Sequence, residues 1–485
     1  MNLNKKFLDM FNSFFSLQEK KYKLVFLIII SFLVLFHRLG ESTLGYDDVY
    51  YAQRAKEMIH KKDWFYTNPT IGGQLSFDNK PPMLFWFLSL VGKLFNFNNW
   101  SMRLFPAIFG FLCILVMFCF VSNLYGYYTG FISSFVLLFT QQFLYYSRSA
   151  TMETMFSLFF FLALISFWNG YYYNKEKSFY LTGLFIGLAI LTRQLSGLLI
   201  YAVIIVFLAL VKDKKVLKQK SFYLGILLSF MISFPWHLYM VVKHGNKFVT
   251  EYFSIVSRGI TKSTNWYEYI RKILENYWPW LPFLVLGIYK SIKNMKTLSS
   301  DEQNKLMFIF SFTFVPLFIL HILKFKAVQY LVPVYIPFAI IVGKTISDID
   351  VKKNFLWSKI FVSLGVILTV LWLCFPIIPN TLDSSEFKDT IKLIPYIKNI
   401  PQECNIYIID DGEKWHYFNG LLFYADKKPV VLSKQEFVKK IFTGHPNEYF
   451  VLNKKSLNDS LLKSFVIKMK IVKETKNTLL ITSKI

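Results

Sequence analysis

Between residues 22 and 377 the chain alternates long apolar runs with short polar connections, and the runs, at roughly 16 to 22 residues, suit helices crossing a ~30 Å hydrocarbon layer. Expected spans lie near 22–38, 104–124, 127–146, 153–173, 179–193, 195–211, 222–242, 278–293, 305–323, 327–347 and 355–377. The fold class is therefore an all-α polytopic membrane protein of about 11 transmembrane helices, in a range of about 10 to 13, with a helical first outer loop and a small C-terminal α/β soluble domain. Two domains are expected: 1–378, which includes the first outer loop at 39–103, and 379–485.

The polar connections carry an orientation. Lysines gather at the N-terminus and in every second connection, at Lys175, Lys177, Lys212 to Lys220, Lys296, Lys352 and Lys353. Placing these in the cytoplasm obeys the positive-inside rule. The 39–103 loop, Arg148, Arg193, the 243–277 loop and Lys324 to Lys326 then share the outer face of the plasma (inner) membrane, with an extracytoplasmic C-terminal domain.

Within the first outer loop, Val49, Ala52, Ala55, Met58 and Ile59 recur at near-helical spacing, which predicts a short interfacial helix over Asp48 to Lys61. Met83 to Phe97 is apolar but interrupted by Gly92 and Lys93, so a second helix along the membrane surface is expected. Beyond residue 379 the pattern shortens to strand-like runs such as Asn405 to Ile409 and Pro429 to Leu432, separated by charged segments.

Composition agrees with the pattern. Hydrophobic residues make up 54% of the 485, aromatic residues 19%, and the mean hydropathy of +0.38 is far too high for a soluble chain of this size. The net charge of +25 raises nucleic acid as a partner. Its location in short loops such as Lys212 to Lys215 favours membrane topology instead, so no nucleic-acid partner is expected. Four scattered cysteines form no disulfide framework. The first apolar run lacks a small-residue cleavage signal before Arg38 and reads as an uncleaved helix.

Charged residues beside membrane spans are the candidates for chemistry. Asp47-Asp48 admits two readings: a helix N-terminus favoured by the dipole, or a general base whose neighbour tunes its pKa or holds a metal. Lys80 stands before Pro81-Pro82, which stop a helix from extending backward. It is either a snorkelling lysine or a phosphate contact presented from a stiff turn. Arg103, Arg148 and Arg193 recur at outer ends of spans, where positive charge is disfavoured, with Glu153 one turn beyond Arg148. They need carboxylate or lipid-phosphate partners. Lys326 and Tyr330, four apart at the start of a span, are expected on one helix face, as an interface pair or as part of a site. His237 and His244 lack a third ligand nearby. No cofactor is required; a divalent ion on Asp47 or Asp48 stays open.

The residues Gly45-Tyr46-Asp47-Asp48-Val49-Tyr50-Tyr51-Ala52-Gln53-Arg54-Ala55, Lys62-Asp63-Trp64, Phe77-Asp78-Asn79-Lys80-Pro81-Pro82 and Trp100-Ser101-Met102-Arg103-Leu104-Phe105-Pro106 resemble the first outer loop of bacterial GT-C glycosyltransferases, relatives of the lipid A aminoarabinose transferase and the protein O-mannosyltransferases. The resemblance is strong over 40–110, fainter from 145 to 340, and absent beyond 379. It implies that Asp47 is the catalytic carboxylate and that Lys80 contacts the lipid phosphate. Arg148 to Glu153 is similar to the family's later acidic motif, Leu191-Thr192-Arg193 to its Leu-Thr-Lys, and Lys326 with Tyr330 to its Lys-x-x-x-Tyr. Asp48 stands in place of Glu, Glu153 of Asp and Arg193 of Lys. Asn79 replaces the Glu of the aminoarabinose branch, removing a carboxylate from that branch's metal site.

The implied activity is transfer of a sugar from a polyprenyl-phosphate carrier to an acceptor hydroxyl on lipid A, a glycan or a protein at the outer face, with inversion by family precedent. Alternatives are a transporter or flippase of the same lipids, and an oligosaccharide-transferring ligase.

Overall fold

The computed structural model describes residues 20–65, 70–71, 74–75, 80–261, 264–350, 356–376, 389–409, 414–442, 448–458, 460–467 and 469–482. The chain divides into two compact units. The first comprises Met1–Leu39, Asn79–Leu84 and Arg103–Pro379; the second comprises Gly40–Asp78, Phe85–Met102 and Asn380–Ile485.

The structure is mostly helical, as a polytopic membrane protein must be when no water can satisfy its backbone. Among the described residues seven helical stretches are long and apolar enough to cross a membrane: Asn99–Tyr125, Glu153–Tyr172, Ser178–Val211, Lys220–Phe253, Ser300–Ile322, Val328–Asp350 and Leu356–Cys374. Lys20–Phe36 is an apolar helix of 17 residues and Tyr127–Leu138 one of 12.

Glycine sets the closest helix approaches in the first unit. A Cβ built on Gly183 would stand 1.9 Å from the Gly225 carbonyl oxygen, so the Ser178–Arg193 and Lys220–Thr261 helices meet backbone to backbone there. Gly343 meets Ser133 in the same manner. Such contacts replace the hydrophobic drive that helices lack in lipid. Aromatic rings fill the wider gaps, as where Trp168 stacks on Tyr172 at 4.7 Å and leans on Phe308 at 4.8 Å.

Three expected helices are irregular. The run at 127–146 breaks at Thr140 (φ −80°, ψ 115°), whose hydroxyl donates back to the Val136 carbonyl at 2.7 Å. The run at 222–242 continues to Thr261 but bends at Gly245, where φ 55° and ψ −139° favour a residue without a Cβ. His237 donates from Nδ1 to the Ser233 carbonyl and accepts at Nε2 from the Tyr252 hydroxyl, 2.8 Å each, tying the two arms of that bend. The run at 327–347 opens as a 3-10 helix, Val328–Val334, because Pro333 offers no N–H, and becomes α-helical only from Tyr335.

In the second unit, residues 380–485 build a five-stranded sheet from β3 (Asn405–Ile409), β4 (Val430–Leu432), β5 (Glu448–Asn453), β6 (Lys470–Glu474) and β7 (Thr478–Thr482), following the short pair β1 (Thr70–Ile71) and β2 (Gln74–Leu75). The order is β4-β3-β5-β7-β6, with β3 parallel to β4 and β5, and β7 antiparallel to β5 and β6. Alternating side chains feed two cores, one around Ile406, Ile408, Leu421 and Val451, the other around Tyr407, Phe437, Phe450 and Leu462.

The first-loop helix Tyr46–Lys61 belongs to this unit and packs on the Lys414–Ala425 helix. Val49, Ala52, Ala55 and Met58 of the stripe read from the sequence are buried along one face, and its fifth member, Ile59, is half-buried. The Tyr424 hydroxyl accepts from the Leu44 N–H and donates to Asn99 Oδ1, 2.7 Å each. Lys56 donates to the Phe423 carbonyl at 3.2 Å and pairs with Asp426. The Met83–Phe95 helix has 13 residues, about 20 Å, too short to cross a bilayer.

Candidate active site

The acidic pair opens the Tyr46–Lys61 helix, where the aligned N–H groups favour negative charge. Asp47 is exposed; Asp48 is buried, its Oδ2 3.5 Å from the Gly45 N–H that it caps. Two neighbouring carboxylates thus have separate surroundings. Two turns along the same helix, Arg54 is 1% exposed, donates to the Tyr50 hydroxyl at 3.1 Å and lies 4.6 Å over that ring. Its burial lies off the apolar stripe and leaves no periodic signal in the sequence.

Lys80 is half-buried ahead of the buried Pro81 and Pro82, and the helix starts at Met83, as the two prolines require. Asp78 and Asn79 lie outside the described residues.

In the first unit the later motifs converge. Glu153, 4% exposed, begins the Glu153–Tyr172 helix, and its Oε1 is 3.1 Å from Arg193 Nη1. The Arg193 guanidinium lies 4.5 Å over the Tyr330 ring and 5.8 Å from that of Phe156. Arg193 is the last residue of its helix, and the buried Gln194 that follows adopts φ 52°, ψ −139°, a region nearly reserved for glycine. That turn aims the arginine. Lys326, 7% exposed, donates from Nζ to the Leu323 carbonyl at 2.7 Å and sits 6.0 Å over Tyr269. Thr264 ties this segment down, donating to the Lys324 carbonyl and accepting from the Lys326 N–H.

Lys326 and Tyr330 do not share a helix face as expected, since Lys326 precedes the 3-10 turn. They are linked through Tyr269, a residue the sequence reading did not single out. Burial, reinforced by Tyr330 beside it, pushes the Tyr269 phenol far above its usual pKa and keeps it protonated. The cluster of Glu153, Arg193, Lys326, Tyr269 and Tyr330 therefore offers one net positive charge and two phenols in a buried setting. Such a set suits an anion with several oxygens.

Arg148 and Arg103 lie elsewhere. Arg148, fully buried, donates to the carbonyls of Val34, Leu35 and His37 at 2.9, 2.8 and 2.9 Å and lies 4.7 Å over Trp372. It caps the C-terminus of the Lys20–Phe36 helix, where the last carbonyls have no intrahelical partner. Arg103, also buried, donates to the Leu39 carbonyl at 3.1 Å. Among the described residues no group of three or more His, Cys, Asp or Glu converges to hold a metal.

Residues 79–239 match the family described as dolichyl-phosphate-mannose-protein mannosyltransferase. An uncharacterized protein of Aquifex aeolicus is 27% identical over 373 residues, 74% of this chain and 72% of its own. The undecaprenyl phosphate-alpha-4-amino-4-deoxy-L-arabinose arabinosyl transferase of Enterobacter sp. (strain 638) is 24% identical over 350 residues, 68% of this chain but 60% of its own length. Among solved structures, ArnT from Cupriavidus metallidurans superposes with a TM-score of 0.72 at 17% identity, covering 94% of this chain and 97% of that one. The Archaeoglobus fulgidus oligosaccharyltransferase AglB, with a TM-score of 0.57 at 14% identity, covers 92% of this chain and 70% of that one. Sequence and fold together support a GT-C polyprenyl-phosphate-sugar glycosyltransferase.

Proposed function

We propose that this chain is a multi-pass glycosyltransferase of the plasma membrane that moves a sugar from a polyprenyl-phosphate carrier to an acceptor hydroxyl on the outer face, with its N-terminus cytoplasmic and residues 379–485 extracytoplasmic. The observation that carries the reading is the buried Glu153–Arg193–Tyr330 cluster with Lys326 and Tyr269, built from the motifs that resemble the GT-C family. Supporting it, the Cupriavidus relative has been solved with undecaprenyl phosphate bound.

Asp47, exposed at a helix N-terminus, is the general base and Asp48 the carboxylate that fixes the turn beneath it. The acceptor hydroxyl gives its proton to Asp47 while its oxygen bonds to the anomeric carbon. The bond from that carbon to the phosphate oxygen breaks, and its electron pair leaves with the phosphate, inverting the centre. Lys80 and Arg193 stabilise the growing phosphate charge, the step at which preorganised donors accelerate a reaction. Tyr330 and Lys326 hold Arg193 and the phosphate in register. Each of these steps uses the chain's own residues.

The test is transfer in proteoliposomes loaded with labelled polyprenyl-phosphate sugar. Transfer releases free polyprenyl phosphate, whereas a flippase moves the label without releasing it. Asp47→Asn should abolish release and leave lipid binding intact; near-normal turnover in that variant overturns the base assignment. Mass spectrometry of glycans and lipid A from cells with and without the gene then identifies sugar and acceptor together.

A further inference from the structure

The Glu268–Tyr277 helix carries three kinds of surface, where a helix between protein and water needs only two. Its buried face holds Tyr269, under the Lys326 ammonium, and Tyr277, which stacks on Tyr335 at 5.5 Å. At about 100° per residue, Ile270 and Leu274 fall on the flank beside that face, and Glu268, Arg271, Lys272 and Glu275 fill the sector left over. The charged sector is closed on itself: Arg271 pairs with Glu268 at 2.6 Å and with Glu275 at 2.7 Å, and Lys272 pairs with Glu275 at 2.9 Å. Two bases and two acids leave it without net charge.

The apolar flank is uncovered. Trp266, Ile270, Leu274 and Trp278 recur at every fourth residue, and each is between 45% and 69% exposed. Both ends of this stripe continue into surface that faces lipid. Trp266 meets the His321 ring at 6.4 Å, at the end of the Ser300–Ile322 helix, which is long and apolar enough to cross a membrane and exposes Phe314, Phe318 and Ile322 in a stripe of the same spacing. From Trp278 the chain passes through Pro279 and the buried Trp280 into the Leu281–Asn294 helix, where Val285, Tyr289 and Ile292 are exposed in turn.

That continuity identifies what covers the flank. A stripe joined at both ends to lipid-facing helices, with a tryptophan at either end, has the composition of the boundary between hydrocarbon and water, where tryptophan rings settle. Protein, hydrocarbon and water meet there, one for each of the three sectors. A helix of 10 residues is also marginal alone, so its angle depends on what holds it, and protein holds it on one face only.

We infer that the segment from Trp266 to Trp278 is seated in the membrane surface, in the outer leaflet by the orientation proposed above, with Ile270 and Leu274 at the edge of the hydrocarbon and the charged sector toward water. The lipid surface thereby fixes the angle of the helix and, through it, the place of Tyr269 under Lys326. Because the charged sector is neutral, the seat needs no anionic headgroup. Only the choice of leaflet and the activity readout below rest on the proposed transfer.

The test places the full chain in nanodiscs of phosphatidylcholine alone, with Cys113, Cys119, Cys374 and Cys404 replaced by alanine and one nitroxide label on Leu274→Cys or Glu275→Cys. Electron paramagnetic resonance reads collisions with oxygen, which concentrates in hydrocarbon, and with a nickel chelate, which stays in water. The ratio of oxygen to nickel collisions should be about threefold higher at Leu274→Cys than at Glu275→Cys. Equal ratios put the flank in water and overturn the inference; a Leu274→Cys label shielded from both reagents puts protein over the flank and overturns it too. The double variant Ile270→Asn and Leu274→Asn alters exposed side chains only, so its melting temperature should hold while amide exchange over 268–277 quickens about tenfold and the donor KM rises with kcat nearly unchanged. Unchanged exchange in that folded variant overturns the bracing of the helix by lipid. A parent chain without transferase activity counts against the proposed transfer alone, and the collision and exchange results still decide the seat.

Discussion

Arginines that look alike in the sequence have separate duties once their partners are known. Arg148 donates to three carbonyls at the end of the Lys20–Phe36 helix, so Arg148→Ala takes their donor from two buried acceptors and one part-buried one, a loss of roughly 3 kcal/mol. Arg148→Lys should fare little better, because an ammonium cannot reproduce the planar fork on Trp372. Both variants should unfold at clearly lower temperature in detergent; unchanged melting would refute the capping role. Glu153→Gln keeps the shape of the buried pair and removes the charge that offsets Arg193. The cluster becomes more positive, so inhibition by added undecaprenyl phosphate should tighten about tenfold while turnover falls. Lys80→Ala should raise the donor KM, through loss of a charge-assisted contact of about 1.5 to 3 kcal/mol, with a smaller effect on folding. A donor KM that does not move would remove Lys80 from the phosphate.

Elements were legible where periodicity alone determines them. The stripe Val49, Ala52, Ala55, Met58 announced the first-loop helix, and Pro81-Pro82 announced the start of the next at Met83. The break at Gln194 was legible as the boundary between the runs 179–193 and 195–211, whereas that at Thr140 was not, because it leaves helical geometry inside a run whose hydropathy continues. Lys326 and Tyr330 were expected on one helix face; Tyr330 lies instead within the 3-10 turn Val328–Val334 and Lys326 precedes it, with Tyr269 from a distant segment beneath the Lys326 ammonium. Side chains recruited across such sequence distances leave no local pattern to read. The glycine contacts follow the same rule, since Gly183 matters only because Gly225 comes to meet it. Gly183→Val would drive a Cβ into the Gly225 backbone and should part the two helices. Thermal unfolding and a loss of monodisperse protein check this. A Gly183→Val protein as stable as the parent would contradict the backbone contact.

At the scale of the molecule, the fold groups the proposed base with a C-terminal sheet whose own residues carry none of the motifs that resemble the family. The Tyr46–Lys61 helix carries Asp47, and within the second unit it leans on the Lys414–Ala425 helix through a buried face, the Tyr424 hydroxyl and Lys56. The C-terminal sheet is thereby a scaffold for the first outer loop, a role unreadable from its own residues because it depends on what packs against it. Removing residues 380–485 should therefore abolish transfer although every motif residue remains, and should open the loop to trypsin at Arg54 and Lys56. The graded counterpart is Tyr424→Phe, which deletes the acceptor of the Leu44 N–H and the donor to Asn99 while keeping the ring. Leaving a buried N–H unpaired costs about 1 to 3 kcal/mol, so this variant should slow transfer and raise proteolysis without abolishing either fold or activity. Asp426→Ala should do almost nothing, because Asp426 is 71% exposed and ion pairs at such positions contribute about 1 kcal/mol or less. Full transfer by the truncated chain would detach the sheet from the loop's function, and a Tyr424→Phe protein indistinguishable from the parent would move the support to the apolar face alone.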